Sequence, residues 1–317
     1  MRRILVAVLV AAGASAMAAA SSSSAIAAPR VVTVADRDIF PESITALPDG
    51  TVILGGMLQP WIYRARPGAA TAERWIDLRG VGSAAWGVLP DQKTNTLYAC
   101  TVAFPLPAKA TPPVKERHSS LRAFDLTTGA PKGAWALQGT TNACNDITVG
   151  PDGSVYVSDL ANGEIQRLKK GAKALEVWLK TPELASIDGI VFNGPTLYVS
   201  NVSTSKIYRI PVNADGSGGQ PVEVTLSQPI AGPDGVRALN GKLYVAENRS
   251  NRISQLTLKG DTATVKVLGS GYQTATGVAP AGDTVWVGES KQNYWRDPKL
   301  ANVDPNPFRI YPLPLPK

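Results

Sequence analysis

The chain carries one histidine, His118, and two cysteines, Cys100 and Cys144. A single histidine leaves at most one position for a Ser-His-Asp triad and excludes a histidine-rich metal centre. No P-loop, GxGxxG, GxSxG or HExxH segment occurs, so phosphate cradles, dinucleotide turns, nucleophile elbows and zincin helices are excluded. The "STSK" at 203–206 spans a predicted hairpin step rather than a helix, and its match to S-x-x-K is coincidental. Charged residues make up only 18% of the chain, and the basic ones are scattered. Nothing resembles a basic, aromatic-interleaved nucleic-acid groove, so nucleic acid is excluded as a partner. Helical periodicity is also scarce. What remains is many short apolar runs punctuated by Gly, Pro, Asn and Asp, the pattern of an all-β chain.

Residues 1–27 read as a secretory signal: Arg2 and Arg3, an apolar Ala/Val/Leu run, and small residues ending Ala25-Ile26-Ala27. The apolar run gives way to Ser21–Ser24 too early to span a bilayer, so no membrane anchor is expected. Cleavage after Ala27 removes Arg2 and Arg3 and lowers the formal charge from +7 to +5. The expected product is an exported protein, periplasmic or secreted, with residues 28–317 forming one domain and acting as a monomer.

One unit recurs along that domain: an anchor residue, an apolar run, a turn, a second run, a six-residue step and a third run. The second runs are "TVILGG", "TLYACT", "SVYVSD", "TLYVSN", "KLYVAE" and "TVWVGE", starting at Thr51, Thr96, Ser154, Thr196, Lys242 and Thr284. Six residues beyond four of them stand Ile62, Ile165, Ile207 and Ile253, each opening a third run. Inserts at 104–120 and 290–307 break the register in the second and sixth units. Six such units predict a six-bladed β-propeller with a central metal site, the early run at 31–35 supplying the outer strand of the last blade. A sandwich gives no reason for a sixfold register.

The anchors are Glu42, Trp86, Asn145, Asp188, Asp234 and Thr276, eight to ten residues before each second run. This register separates the two "GPDG" copies. Asp152-Gly153 lies between first and second runs as a hairpin turn, whereas Asp234 stands in the anchor position and Asn240-Gly241 makes its turn. Anchors at the start of channel-lining strands converge at one mouth, and four of them are oxygen donors. Three carboxylates across a narrow channel repel one another unless a cation sits among them. Carboxylates with an amide carbonyl, and no His or Cys, describe a hard divalent ion: Ca²⁺ first, with Zn²⁺ or Mn²⁺ as alternatives. A lone Asp-Gly is more often a solvent-facing turn, but four oxygen donors in one phase of the repeat are not explained that way.

At "PES" (41–43), "CNDITVGPDG" (144–153), "IDGIVF" (187–192) and "PDGVRA" (233–238) the chain resembles the regucalcin (senescence marker protein) and gluconolactonase family of propellers. The resemblance implies one divalent ion with Glu42, Asp188 and Asp234 as direct ligands, and Asn145 as a ligand or a substrate-binding amide. It also makes Asp234 the candidate general base. Two departures stand out: Asp188 occupies a phase that is usually Asn, and Ala143 replaces the Arg that sugar-lactone enzymes tend to carry. The second departure counts against an aldonolactone substrate.

The expectation is a metal-dependent hydrolase of the lactonase or esterase type, acting on a small-molecule substrate. The alternative is a non-catalytic ligand- or protein-binding propeller with a structural calcium ion. Trp86 holds an anchor position and is a candidate substrate-binding wall, with Trp61, Tyr294 and Trp295 in mouth-side segments. Cys100 and Cys144 fall near the same mouth in adjacent units, where a disulfide competes with two buried thiols. His118, within the first insert, is expected in an exposed loop.

Overall fold

The computed structural model describes residues 30–82, 84–103, 118–300 and 302–315. The predicted signal at 1–27 and insert residues 104–117 lie outside the described residues. Nearly all of the regular secondary structure described is β-strand, paired almost entirely antiparallel. Among the described residues no helix is long and apolar enough to cross a membrane.

Strand β1 (Val32–Val34) is followed by a meander of β2 (Pro41–Ala46), β3 (Val52–Gly56), β4 (Trp61–Ala65) and β5 (Thr71–Asp77). Three further four-stranded meanders follow: β6 (Ala84–Asp91) to β9 (Pro131–Ala136), β10 (Cys144–Val149) to β13 (Glu176–Lys180), and β14 (Ile187–Asn193) to β17 (Val222–Glu223). Next, β19 (Pro233–Leu239), β20 (Lys242–Glu247), β21 (Arg252–Lys259) and β22 (Thr262–Ser270) form a meander with the short β18 (Thr225–Leu226) parallel to its edge. The chain finishes with β23 (Ala275–Ala281), β24 (Thr284–Glu289) and β25 (Arg309–Pro314). The run at 31–35 supplies β1, which pairs antiparallel with β25 and parallel with β5. One eight-stranded sheet, β2-β3-β4-β5-β1-β25-β24-β23, therefore joins the first and last described strands.

The first strands of the meanders form a closed ring. β2 packs on β6, β6 on β10, β10 on β14, β14 on β19, β19 on β23, and β23 back on β2. The apolar phases fill the space between sheets: Ile62, Ile165, Ile207 and Ile253 are all fully buried. Truncating any one of them to Ala would cost about 2–5 kcal/mol, because a close-packed interior does not collapse into the hole.

The two GPDG copies differ as their register predicts. Gly153, with φ +79°, turns the chain between β10 and β11 (Val155–Asp159) while the backbone N–H of Ser154 donates to Asp152 Oδ1 at 3.0 Å. The second copy runs into β19, and Asn240 and Gly241, both at positive φ, make the turn after it. Each ring strand also carries a β-bulge at its anchor. Glu42-Ser43 face a single residue of β3, Asn145-Asp146 a single residue of β11, and the same irregularity falls at Trp86, Asp188, Asp234 and Thr276. A bulge leaves one residue out of the ladder and re-aims its side chain. These bulges place the anchors together at one end of the ring.

Candidate metal and substrate site

Glu42, Asp188 and Asp234 come from β2, β14 and β19. One carboxylate oxygen from each lies within 4.8 Å of the others, and all three side chains are buried. They floor a cavity of about 630 Å³ that Asn145, Trp86 and Trp295 also line. Ca²⁺ binds oxygen ligands at about 2.3–2.6 Å, so oxygens on either side of one ion stand about 5 Å apart. The spacing fits one such ion.

Each carboxyl titrates well above the usual carboxylate range. Burial is the first cause for all three; next come Asp188 acting on Glu42, Asp234 acting on Asp188, and Glu42 acting on Asp234. The Asn145 amide opposes the shift at Asp188, as does Asn248 at Asp234. Asn248 Nδ2 donates to Asp234 Oδ2 at 2.8 Å, while Asp234 Oδ1 is buried and accepts no hydrogen bond. A buried carboxylate oxygen without a donor is costly. A cation among the three acids would satisfy it, so the residues present fit a hard divalent ion.

The backbone beneath the acids is held by hydroxyl staples. Ser158 Oγ receives the N–H of Asp146 at 3.0 Å and donates to the carbonyl of Asp188 at 2.6 Å. Ser200 Oγ repeats this with the N–H of Gly189 and the carbonyl of Asp234. Each serine thus ties its own meander to the ligand residue of the next. A Cβ on Gly189 would lie 2.6 Å from the Asp234 carbonyl oxygen, so the close approach requires glycine there. Cys100 holds the equivalent place in its meander, and it is bonded to Cys144 with a Cα–Cα distance of 5.2 Å. There the tie between neighbours is covalent, directly before Asn145.

Under the floor, Arg237 reaches across the channel. Its Nη1 and Nη2 donate to the two oxygens of Asp146 at 2.6 and 2.9 Å, and Nη2 also donates to Ser43 Oγ at 3.2 Å. Asp146 Oδ2 further accepts the N–H of Ile190. Four strands that carry the acids and Asn145 are joined through one buried ion pair. Neither Arg237, within "PDGVRA", nor Asn248, directly after the "KLYVAE" run, stands in an anchor position, so the repeat does not mark them.

The remaining expected positions divide. Trp86 and Trp295 line the cavity. Trp61 instead opens β4, with the guanidiniums of Arg74 and Arg79 at 4.9 and 5.0 Å from its ring. Tyr294 packs against the buried core. His118 is exposed but is the first residue of β8 (His118–Asp125), paired with Ala103, rather than part of a loop. Strand pairing at the base of the insert, invisible to local pattern, places it there. A second cavity of about 420 Å³ lies beside β1 and the turn at 47–50 and contains none of the three acids.

No family model matches the chain, and no curated protein matches it by sequence. Solved structures do match by shape. A gluconolactonase from Xanthomonas campestris is 16% identical, with a TM-score of 0.63 over 90% of this chain and 89% of that one. A luciferin-regenerating enzyme is 14% identical, with a TM-score of 0.62 over 90% and 95%. The PQQ-bound aldose sugar dehydrogenase of Streptomyces coelicolor is 16% identical, with a TM-score of 0.61 over 90% and 97%. At these identities the likeness establishes the fold alone, and that fold is the β-propeller of gluconolactonase-type proteins.

Proposed function

We propose that this chain is an exported, metal-dependent hydrolase of a small lactone or ester, built as a six-bladed propeller around one divalent ion. The blade count treats the eight-stranded sheet as two four-stranded blades meeting at β5 and β1. The observation that carries the functional reading is the buried set of Glu42, Asp188 and Asp234, open to a cavity of small-molecule size. Asn145 completes the oxygen set. By donor chemistry the ion is Ca²⁺.

When bound, such an ion polarises a carbonyl and stabilises negative charge on its oxygen. The protein's own residues supply the rest. Asn248 fixes the Asp234 carboxylate through Oδ2, and that carboxylate is the candidate base that takes a proton from an attacking water. Water adds to the carbonyl carbon, the ring C–O bond breaks, and the proton passes to the departing alkoxide to give a hydroxy acid. Trp86 and Asn145 bound the substrate from the wall.

The test is a panel of γ- and δ-lactones, aldonolactones, aryl esters and phosphotriesters, assayed with Ca²⁺, Zn²⁺ and Mn²⁺. Turnover by the parent that falls at least a hundredfold in Asp234→Asn supports the hydrolase. Metal-loaded protein silent across the panel would instead leave a ligand-binding propeller.

A further inference from the structure

The wall above the acids is built as firmly as the floor. Its short helix α1 (Asn293–Arg296) follows two buried residues, Lys291 and Gln292. Lys291 Nζ donates to the carbonyls of Pro305 and Pro307 at 2.9 and 3.0 Å, closing the 290–307 segment on itself. Gln292 Nε2 lies 3.1 Å from Met57 Sδ, which fastens the helix to the core. Trp295 packs against the same core, and the Arg296 guanidinium rests 5.0 Å from its ring centroid. Arg296 is exposed, with the Trp295 ring as its neighbour. It lines the acid-floored cavity, as does Arg249, whose Nη1 donates to the Ser203 carbonyl. Neither makes an ion pair among the described residues.

The charges of the lining divide by position. Glu42, Asp188 and Asp234 form the floor; the exposed ionised groups around it are Arg249, Arg296 and Asp297. With one divalent ion the floor keeps a single negative charge. The surround carries a single positive one, and Arg296 is near enough to act on Glu42 and Asp234. A planar guanidinium without an ion-pair partner is suited to bidentate contact with a carboxylate. The single positive charge of the surround matches one carboxylate group better than a doubly charged phosphate group.

The geometry points to an anion-selecting rim: Arg296, with Arg249, pairs a carboxylate carried by the substrate away from its scissile carbonyl. This rests on the hydrolase reading for the reaction but not for the binding. The substrate class is then a lactone or ester of a sugar-like diacid, rather than a neutral aldonolactone. The departure at Ala143 fits such a class, since charge recognition comes from a different element.

The experiment compares D-glucarate with D-gluconate, acids that differ by one carboxylate, binding to the full Ca²⁺-loaded protein by calorimetry. The parent should prefer glucarate by about tenfold, roughly 1.4 kcal/mol. Arg296→Gln should bring that preference close to one, Arg296→Lys should keep part of it, and Lys299→Gln, outside the cavity, should keep all of it. Equal affinities in the parent, no binding of either acid, or an undiminished preference in Arg296→Gln would each overturn the rim. Hydrolysis of glucaro- and glucono-lactone is followed in parallel. If neither lactone turns over while the binding preference holds, the hydrolase reading fails and the rim stands.

Discussion

Asp234 joins both parts of the site, with one oxygen held by Asn248 and the other left without a donor. Asn248→Ala should weaken metal binding by about 10–100-fold, as loss of a ligand's orienting partner commonly does. Calorimetric Ca²⁺ titration checks this, and an unchanged affinity would remove Asn248 from the site. The titration of the three acids sets a pH dependence. Burial first, and then their mutual repulsion, raises all three in the folded protein. Above the ordinary carboxylate pKa of about 4 the metal-free folded state therefore holds protons that the unfolded chain has released. This stability is fully present below about pH 4 and is lost as pH rises through the raised values. An ion takes the place of those protons. The difference in Tm between Ca²⁺-loaded and EDTA-treated protein should thus widen from about pH 5 to about pH 8, and a difference that narrows would contradict the ion-holding role.

At the level of strands, the acids are aimed by bulges, and the bulged strands are tied by Arg237. Arg237→Met leaves Asp146 charged and buried without its partner, at a cost of about 3–5 kcal/mol. Urea denaturation checks it, and a loss under about 1 kcal/mol would show the spoke to be dispensable. The tie between Cys100 and Cys144 closes a loop of 44 residues, so the double serine variant should lose about 2–4 kcal/mol. These ties mark what could and could not be read from sequence. The runs "SVYVSD" and "TLYVSN" reveal their strands because alternation and turn residues act locally. Their serines also staple the next meander, but that role depends on a carbonyl 30 or 34 residues away. Arg237 meets a partner 91 residues distant, and nothing near either residue signals the pair. Of the wall, Trp295 was legible as a mouth-side aromatic, whereas Gln292 and Arg296 were hidden, because they lie in a segment that breaks the repeat.

For the whole molecule, regular spacing was the most informative signal. A unit that cannot bury its own faces must stack on neighbours, and stacking repeats in a ring brings the same phase of each to one mouth. Hence Glu42 and Asp234, almost two hundred positions apart, could be grouped before any contact was known. The ring also explains why the first and last described strands meet: β1 bridges β5 and β25, so its removal should open the seam. A chain lacking residues 28–35 should unfold at lower temperature and without a single cooperative transition. An unaltered melt would argue against closure by that strand. Everything proposed for the site depends on a divalent ion among three buried acids. The direct measurement is the metal content of protein purified without chelator, by inductively coupled plasma mass spectrometry on the parent and on Asp234→Ala. One calcium per parent chain and none in the variant is the predicted result; equal metal content in the two, or a parent that neither carries nor takes up a divalent ion, would contradict it.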